Sequence, residues 1–136
     1  KCTEFVLIDT KHDYAILQVE PIDGRKPLSI SDAINFKAKK MPKLLDKTYY
    51  TGYPNNIGPL TMAGTIAGFA DSGHIFINSY AWTGSSGSGV FDQNGKLIGI
   101  IMALDVGSTQ YGVDVLENLL IVVPTQNIDW VGALHR

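Results

Sequence analysis

Between Trp82 and Asp92 the chain reads Trp-Thr-Gly-Ser-Ser-Gly-Ser-Gly-Val-Phe-Asp, and no other stretch constrains the fold as sharply. Gly84, Gly87 and Gly89 admit a sharp backbone path that residues bearing a Cβ resist. Taken alone, Gly84 to Gly89 has the composition of a flexible linker. Its setting argues otherwise. Trp82 stands just before it, and the strand-like Val90-Phe91, the turn Gln93-Asn94-Gly95 and the apolar run from Lys96 to Met102 follow at once. A glycine-rich loop wedged between two strands is explained by backbone amides that must approach something closely.

The rest of the chain reads as short strands. Residues 5–8 and 14–19 are aliphatic and β-branched runs separated by the polar turn Asp9 to Asp13. Residues 21–44 carry Asp23-Gly24, Pro27 and Pro42 and read as a connector. The lysines there, Lys37, Lys39, Lys40 and Lys43, read as a solvated face rather than a nucleic-acid contact. Strands then recur at 48–51, at 60–69 with Gly64 and Gly68 inside, and at 75–80 after Asp71-Ser72-Gly73. Many short strands at this spacing predict a barrel or sandwich. Near the end, Pro124-Thr125 precedes Ile128, Val131 and Leu134 at three-residue spacing, which predicts one terminal helix with Thr125 as N-cap.

Composition narrows the function classes. At 136 residues, 45% hydrophobic and 18% charged, the chain has the size and make-up of one globular domain. A net charge of −2 gives no electrostatic reason to expect nucleic acid or an anionic membrane as partner. The apolar runs at 97–104 and 119–123 are too short to span a bilayer, and Lys1-Cys2-Thr3-Glu4 leads into a strand without a signal-peptide pattern. The single Cys2 forms no intrachain disulfide, although it can pair with another chain. No Cys/His cluster has ligand spacing, so neither a metal nor a cofactor is expected.

Acyl transfer by a serine needs an exposed hydroxyl, a base, an orienting carboxylate and amide donors for the oxyanion. The glycines around Ser86 allow a turn that presents its hydroxyl and points the Gly84 and Ser86 N–H groups inward. A Gly-x-Ser-Gly string is weak by itself. Here a hairpin, a long apolar strand, Gly112 and Val122-Val123-Pro124 follow it, and Asp13 opens the strand Tyr14-Ala15-Ile16-Leu17 about seventy residues upstream.

In this order and spacing the chain resembles the trypsin-like (chymotrypsin-fold) serine proteases, in their disulfide-free bacterial heat-shock and viral form. Asp13-Tyr14-Ala15-Ile16-Leu17 is similar to the family's aspartate strand, and Gly84-Ser85-Ser86-Gly87 to its nucleophile loop. Gly52-Tyr53-Pro54 with 61–66 resembles the opening of the second barrel, 95–100 the strand after the nucleophile, and Val123-Pro124 with its helix the C-terminus. The resemblance runs from Phe5 to Leu134. It implies an all-β, chymotrypsin-like double β-barrel, the second barrel complete and the first partial, with a short C-terminal helix. The implied divisions are 1–26 for the remnant of the first barrel, 27–44 for the connector, 45–123 for the second barrel and 124–136 for the helix.

The implied activity is a serine endopeptidase acting on polypeptide substrates. Ser86 is the nucleophile, Asp13 the triad carboxylate, and the Gly84 and Ser86 amides the oxyanion donors. Tyr80, Ala81, Trp82 and Thr83 form one wall of the implied substrate pocket, and Met102, Ala103 and Leu104 the other, with Tyr111-Gly112-Val113 closing it. No charged residue stands at its base, which favours a small or apolar substrate side chain; core packing is the plain alternative for these aromatics.

Two departures matter. The family's histidine belongs to a Thr-Ala-x-His-like segment upstream of the aspartate. The resemblance therefore places it on a segment outside this chain, either an N-terminal fragment of the same precursor, which would also complete the first barrel, or an earlier part of a longer chain. His12, His74 and His135 read as surface histidines. Ser85 stands where digestive members have an aspartate that pairs with a new N-terminus, so activation by that ion pair is not expected. The alternative is a catalytically inactive protease-fold module kept for binding or structure. A Ser-Lys dyad using Lys11 or Lys96 finds neither lysine in a buried setting.

Overall fold

Strict alternation along one strand shows how the larger part of the chain closes on itself. In β3 (Lys47–Gly52), Thr48, Tyr50 and Gly52 are buried while Lys47, Tyr49 and Thr51 face outward, the period of two that places one strand face in a core. The structure, a computed structural model, describes residues 1–29, 42–80, 82–102, 107–109, 112–114 and 119–134. Two strands precede β3: β1 (Cys2–Asp9) and β2 (Tyr14–Val19). After it come β4 (Leu60–Phe69), β5 (Ile75–Asn78), β6 (Gly89–Asp92), β7 (Leu97–Ile101), β8 (Gly107–Thr109), β9 (Gly112–Asp114) and β10 (Leu119–Pro124). The one α-helix among the described residues, α1, spans Trp130–Leu134.

Six strands form a closed barrel in the order β10-β5-β4-β3-β6-β7. Its interior is Tyr50, Ile66, Ile75, Ile77, Val90, Ile98, Ile101, Leu120 and Val122. Most are β-branched, the residues that pack well on a pleated surface. Each such side chain contributes about 1.5–3 kcal/mol when fully removed from water, and Leu120 and Val122 are both 0% exposed. Closure brings β7 against β10, with Val123 opposite Ile100 and Pro124 opposite Gly99. Gly99 permits that approach: a Cβ there would run into the Val122 side chain and the Val123 carbonyl.

The β1–β2 hairpin lies outside the barrel as a separate two-stranded sheet. Leu7, Tyr14 and Ile16 pack with Ile100, Met102, Val123, Ile128 and Trp130. The Tyr14 hydroxyl accepts the Asp129 amide at 2.9 Å, tying the hairpin to the start of α1. Its other face is apolar and bare. Phe5 pairs in register with Leu17 and Ile8 with Ala15; Phe5 is 64% and Ile8 60% exposed. Neither strand pairs with a third among the described residues. The expected architecture, one complete barrel beside part of another, is what the chain forms.

The C-terminus differs from the single capped helix. Thr125 begins a 3-10 turn, Thr125–Asn127, and caps nothing with its side chain. It is buried at the barrel end, and its carbonyl accepts the Trp130 indole N–H at 3.1 Å. Asp129 caps instead, its Oδ1 accepting the Gly132 amide at 2.8 Å. Of the three apolar positions in the pattern only Ile128 is buried; Val131 and Leu134 are each 66% exposed.

The bare hairpin face should bind an apolar dye. Anilinonaphthalene sulfonate fluorescence is expected with Lys1–Arg136 alone, and Phe5→Thr with Leu17→Thr should remove most of it. Unchanged fluorescence in the double variant would place the exposed surface elsewhere.

Candidate active site

Between β5 and β6 the chain leaves the barrel, makes two tight turns and re-enters. The Tyr50 hydroxyl donates to the Tyr80 carbonyl at 2.6 Å, and the Tyr80 and Trp82 rings meet edge to face at 5.5 Å. The Ser85 amide then donates to the Trp82 carbonyl at 3.0 Å, and the Ser88 amide to the Ser85 carbonyl at 3.1 Å. Each turn carries a glycine at its third position, Gly84 at φ +98° and Gly87 at φ +83°, the left-handed value that a type II turn demands there. At Gly84 a side chain is excluded twice, because its Cβ would also meet the Tyr53 carbonyl. The loop is pinned to β7 by the Gly87 amide donating to Ile101 at 2.7 Å and the Ile101 amide to Ser88 at 3.0 Å.

These turns split two neighbouring serines. Ser85 points inward and is 2% exposed, its hydroxyl enclosed without a partner among the described residues. Ser86 is exposed, and among the described residues its hydroxyl reaches only the Met102 carbonyl, at a long 3.4 Å. The amides split in the same way. Those of Ser85, Gly87 and Ser88 are used within the loop or by β7, whereas those of Gly84 and Ser86 donate to nothing among the described residues. An exposed hydroxyl flanked by two unengaged N–H groups is an arrangement able to attack a carbonyl and receive the developing oxyanion.

Asp13 occupies the turn before β2 at φ +59°. Its carboxylate is exposed and accepts no hydrogen bond among the described residues, and none joins it to Ser86. Ile16 of β2 and Met102 beside Ser86 nevertheless border the same apolar cluster. Asp9 organises that turn, accepting the Lys11 amide at 2.9 Å and the His12 amide at 3.0 Å. Its Oδ2 lies 2.7 Å from His12 Nδ1. The hydrogen bond from the His12 ring, then that from the His12 amide, holds the Asp9 carboxyl below its ordinary value. His12 is thus committed to Asp9. His74 Nδ1 bonds the Ser72 hydroxyl at 2.6 Å. Both histidines are half-buried rather than fully at the surface, because each is drawn into its own turn; His135 lies outside the described residues.

Of the expected substrate pocket, Tyr80 and Thr83 are exposed while Trp82 and Met102 are half-buried. Ala81, Ala103, Leu104 and Tyr111 lie outside the described residues. Tyr53 enters the site unforeseen: its carbonyl lies against Gly84 and its side chain is 56% exposed. Gly52-Tyr53-Pro54 was its one sequence signal. No group of three or more His, Cys, Asp or Glu residues is placed to hold a metal among the described residues, and no helix there is long and apolar enough to cross a membrane.

The family model for the trypsin-like peptidase domain matches residues 3–100, a span that holds the hairpin, the glycine-rich loop at 84–89 and most of the barrel. The chain belongs to that family. No curated protein matches the sequence. Among solved structures, the serine endoprotease from Yersinia pestis superposes with a TM-score of 0.66 at 21% identity, over 90% of this chain and 40% of that one. The HtrA-type protease AlgW, solved with a decapeptide, gives 0.62 at 23% identity, over 90% of this chain and 37% of that one. The chain therefore spans about 40% of the length of these trypsin-like neighbours, and at such identities the likeness is one of fold.

Two consequences can be measured on this trypsin-like chain. Gly84→Ala should cost about 1–3 kcal/mol in denaturant unfolding, from a forced left-handed backbone, with amide shifts concentrated at 84–88. The Asp9–His12 pair should act at acid pH. A carboxyl with a lowered folded value stabilises fully above its unfolded value of about 3.9. That contribution disappears as pH falls through the lowered value, so the Lys11 and His12 amide signals should broaden there. Asp9→Asn should abolish this pH dependence.

Proposed function

We propose that the chain is the nucleophile-bearing part of a serine endopeptidase, with polypeptides as its substrates. The observation that carries this reading is the alternation in the 84–88 loop: the Ser86 hydroxyl exposed, the Gly84 and Ser86 amides unengaged among the described residues, and the amides between and after them tied up. In the proposed reaction Ser86 Oγ attacks the scissile carbonyl while a histidine removes its proton. The Gly84 and Ser86 N–H groups receive the oxyanion. The C–N bond then breaks, the amine leaves with that proton, and water hydrolyses the Ser86 ester through the same histidine. Asp13 orients the histidine and stabilises its charged form; its exposed, unengaged carboxylate supports that role.

The histidine comes, in this reading, on a further segment of the same precursor. The bare apolar face of β1–β2 and its unpaired edges suit added strands, since an unpaired backbone group carries about 1–3 kcal/mol of desolvation cost once buried. We accordingly assign 1–26 to a remnant of the first barrel, 27–44 to a connector, 45–123 to the second barrel and 124–136 to the C-terminal segment that carries the helix. Tyr80, Trp82, Thr83 and Met102 would line a pocket for a small or apolar side chain.

The second reading is an inactive module with this fold. It is favoured by one observation: His12 is bonded to Asp9 and His74 to Ser72, so neither serves Ser86. A fluorophosphonate probe applied to the full-length protein distinguishes the two. The peptidase reading expects covalent labelling at Ser86, lost in Ser86→Ala, and a fall in kcat of about 10⁴-fold in Asp13→Asn. A folded full-length protein that stays unlabelled would establish the module.

A further inference from the structure

The Asp13 carboxylate accepts no hydrogen bond among the described residues, yet its neighbours on both sides are tied down. The β1–β2 hairpin closes through Asp9 and Tyr14, which face each other in register, so Thr10 to Asp13 form the connecting loop. Asp9 holds the near end of that loop. Its Oδ1 accepts the Lys11 amide at 2.9 Å and the His12 amide at 3.0 Å. A carboxylate that captures the amide two residues on shapes a turn as a backbone carbonyl would. Its Oδ2 accepts the His12 ring N–H at 2.7 Å, an ionised carboxylate being an acceptor only. His12, directly before Asp13, is therefore held to Asp9 by both its backbone and its ring.

The far end is held by packing. Tyr14, directly after Asp13, is buried among Val123 and Ile128, and its hydroxyl accepts the Asp129 amide at 2.9 Å. Between these anchors Asp13 takes φ +59°, a left-handed value that aspartate visits more readily than most residues bearing a Cβ. Such a conformation persists where the surroundings impose it. With Tyr14 seated on the barrel flank, the bonds of Asp9 are what impose it from the other side. Release them, and the backbone at Asp13 is free to relax and re-aim the carboxylate.

We infer that Asp9 and His12 are positioning residues for Asp13, forming a clamp that holds the loop so that the Asp13 carboxylate is aimed before its partner arrives. The inference rests on the peptidase reading, in which Asp13 orients the histidine. It also gives His12 a role: the histidine beside Asp13 turns to Asp9, and thereby fixes the backbone from which Asp13 projects. A misplacement of about 1 Å can cost roughly a hundredfold in rate, so a loosened clamp should appear in the chemical step rather than in binding.

A double-mutant cycle on the full-length protein tests this, read as the rate of fluorophosphonate labelling of Ser86. Asp9→Ala should lower the maximal labelling rate about tenfold or more, with the half-saturating probe concentration unchanged. Asp9→Asn keeps an oxygen for the two amides and offers an N–H to the other tautomer of the His12 ring, so it should restore most of the loss. In an Asp13→Asn background Asp9→Ala should have no further effect, because the two residues act as one unit. A tenfold loss that persists in that background, or no loss in a folded Asp9→Ala protein, would overturn the inference and leave the peptidase reading standing. Should Asp9→Ala fail to fold, His12→Ala, which removes only the ring bond, decides through the same cycle. Labelling of Asp13→Asn at the parent rate would instead sink the peptidase reading, and this inference with it.

Discussion

Closure of the barrel through β10 is the constraint on which the rest depends. This strand pairs with β5 on one side and β7 on the other, so one segment near the C-terminus seals a sheet begun at residue 47. Leu120 and Val122 point into the core, whereas Val123 points outward to the cluster that receives the hairpin. The period of two thus lets one strand complete the interior and build the seat for β1–β2. It also pairs with β7, and β7 pins the 84–88 loop through Ile101.

The hydrogen bonds of the 84–88 loop are used unevenly. Two successive turns consume the amides of Ser85 and Ser88, and β7 takes that of Gly87. The amides unspent among the described residues, those of Gly84 and Ser86, sit beside the exposed hydroxyl. A flexible glycine-rich linker would have no such division. Ser85 bears a cost for it: an enclosed hydroxyl without a partner forfeits the hydrogen bonds it makes in water.

The hairpin is the counterpoint to the barrel. Its inner face is satisfied by Tyr14 and its bond to Asp129, while its outer face leaves Phe5 and Leu17 in water. The same two strands present Asp13 from the turn between them.

Much of this was legible in the sequence because it is local. Alternating apolar runs and glycine-bearing turns determined the strands, with β4 falling on the residues read from the pattern, and the spacing of Asp13 and Ser86 determined the family resemblance. Other features rest on contacts between distant segments, which no local pattern contains. The cap moved from Thr125 to Asp129 because Thr125 was drawn into the barrel end. His12 turned to Asp9 because the turn between β1 and β2 brings the ring to that carboxylate, and Tyr53 met Gly84 across about thirty residues of chain. Sequence determined which residues could form strands and turns; tertiary structure alone decided which hydroxyls, amides and carboxylates are engaged among the described residues, because those partners come from distant segments.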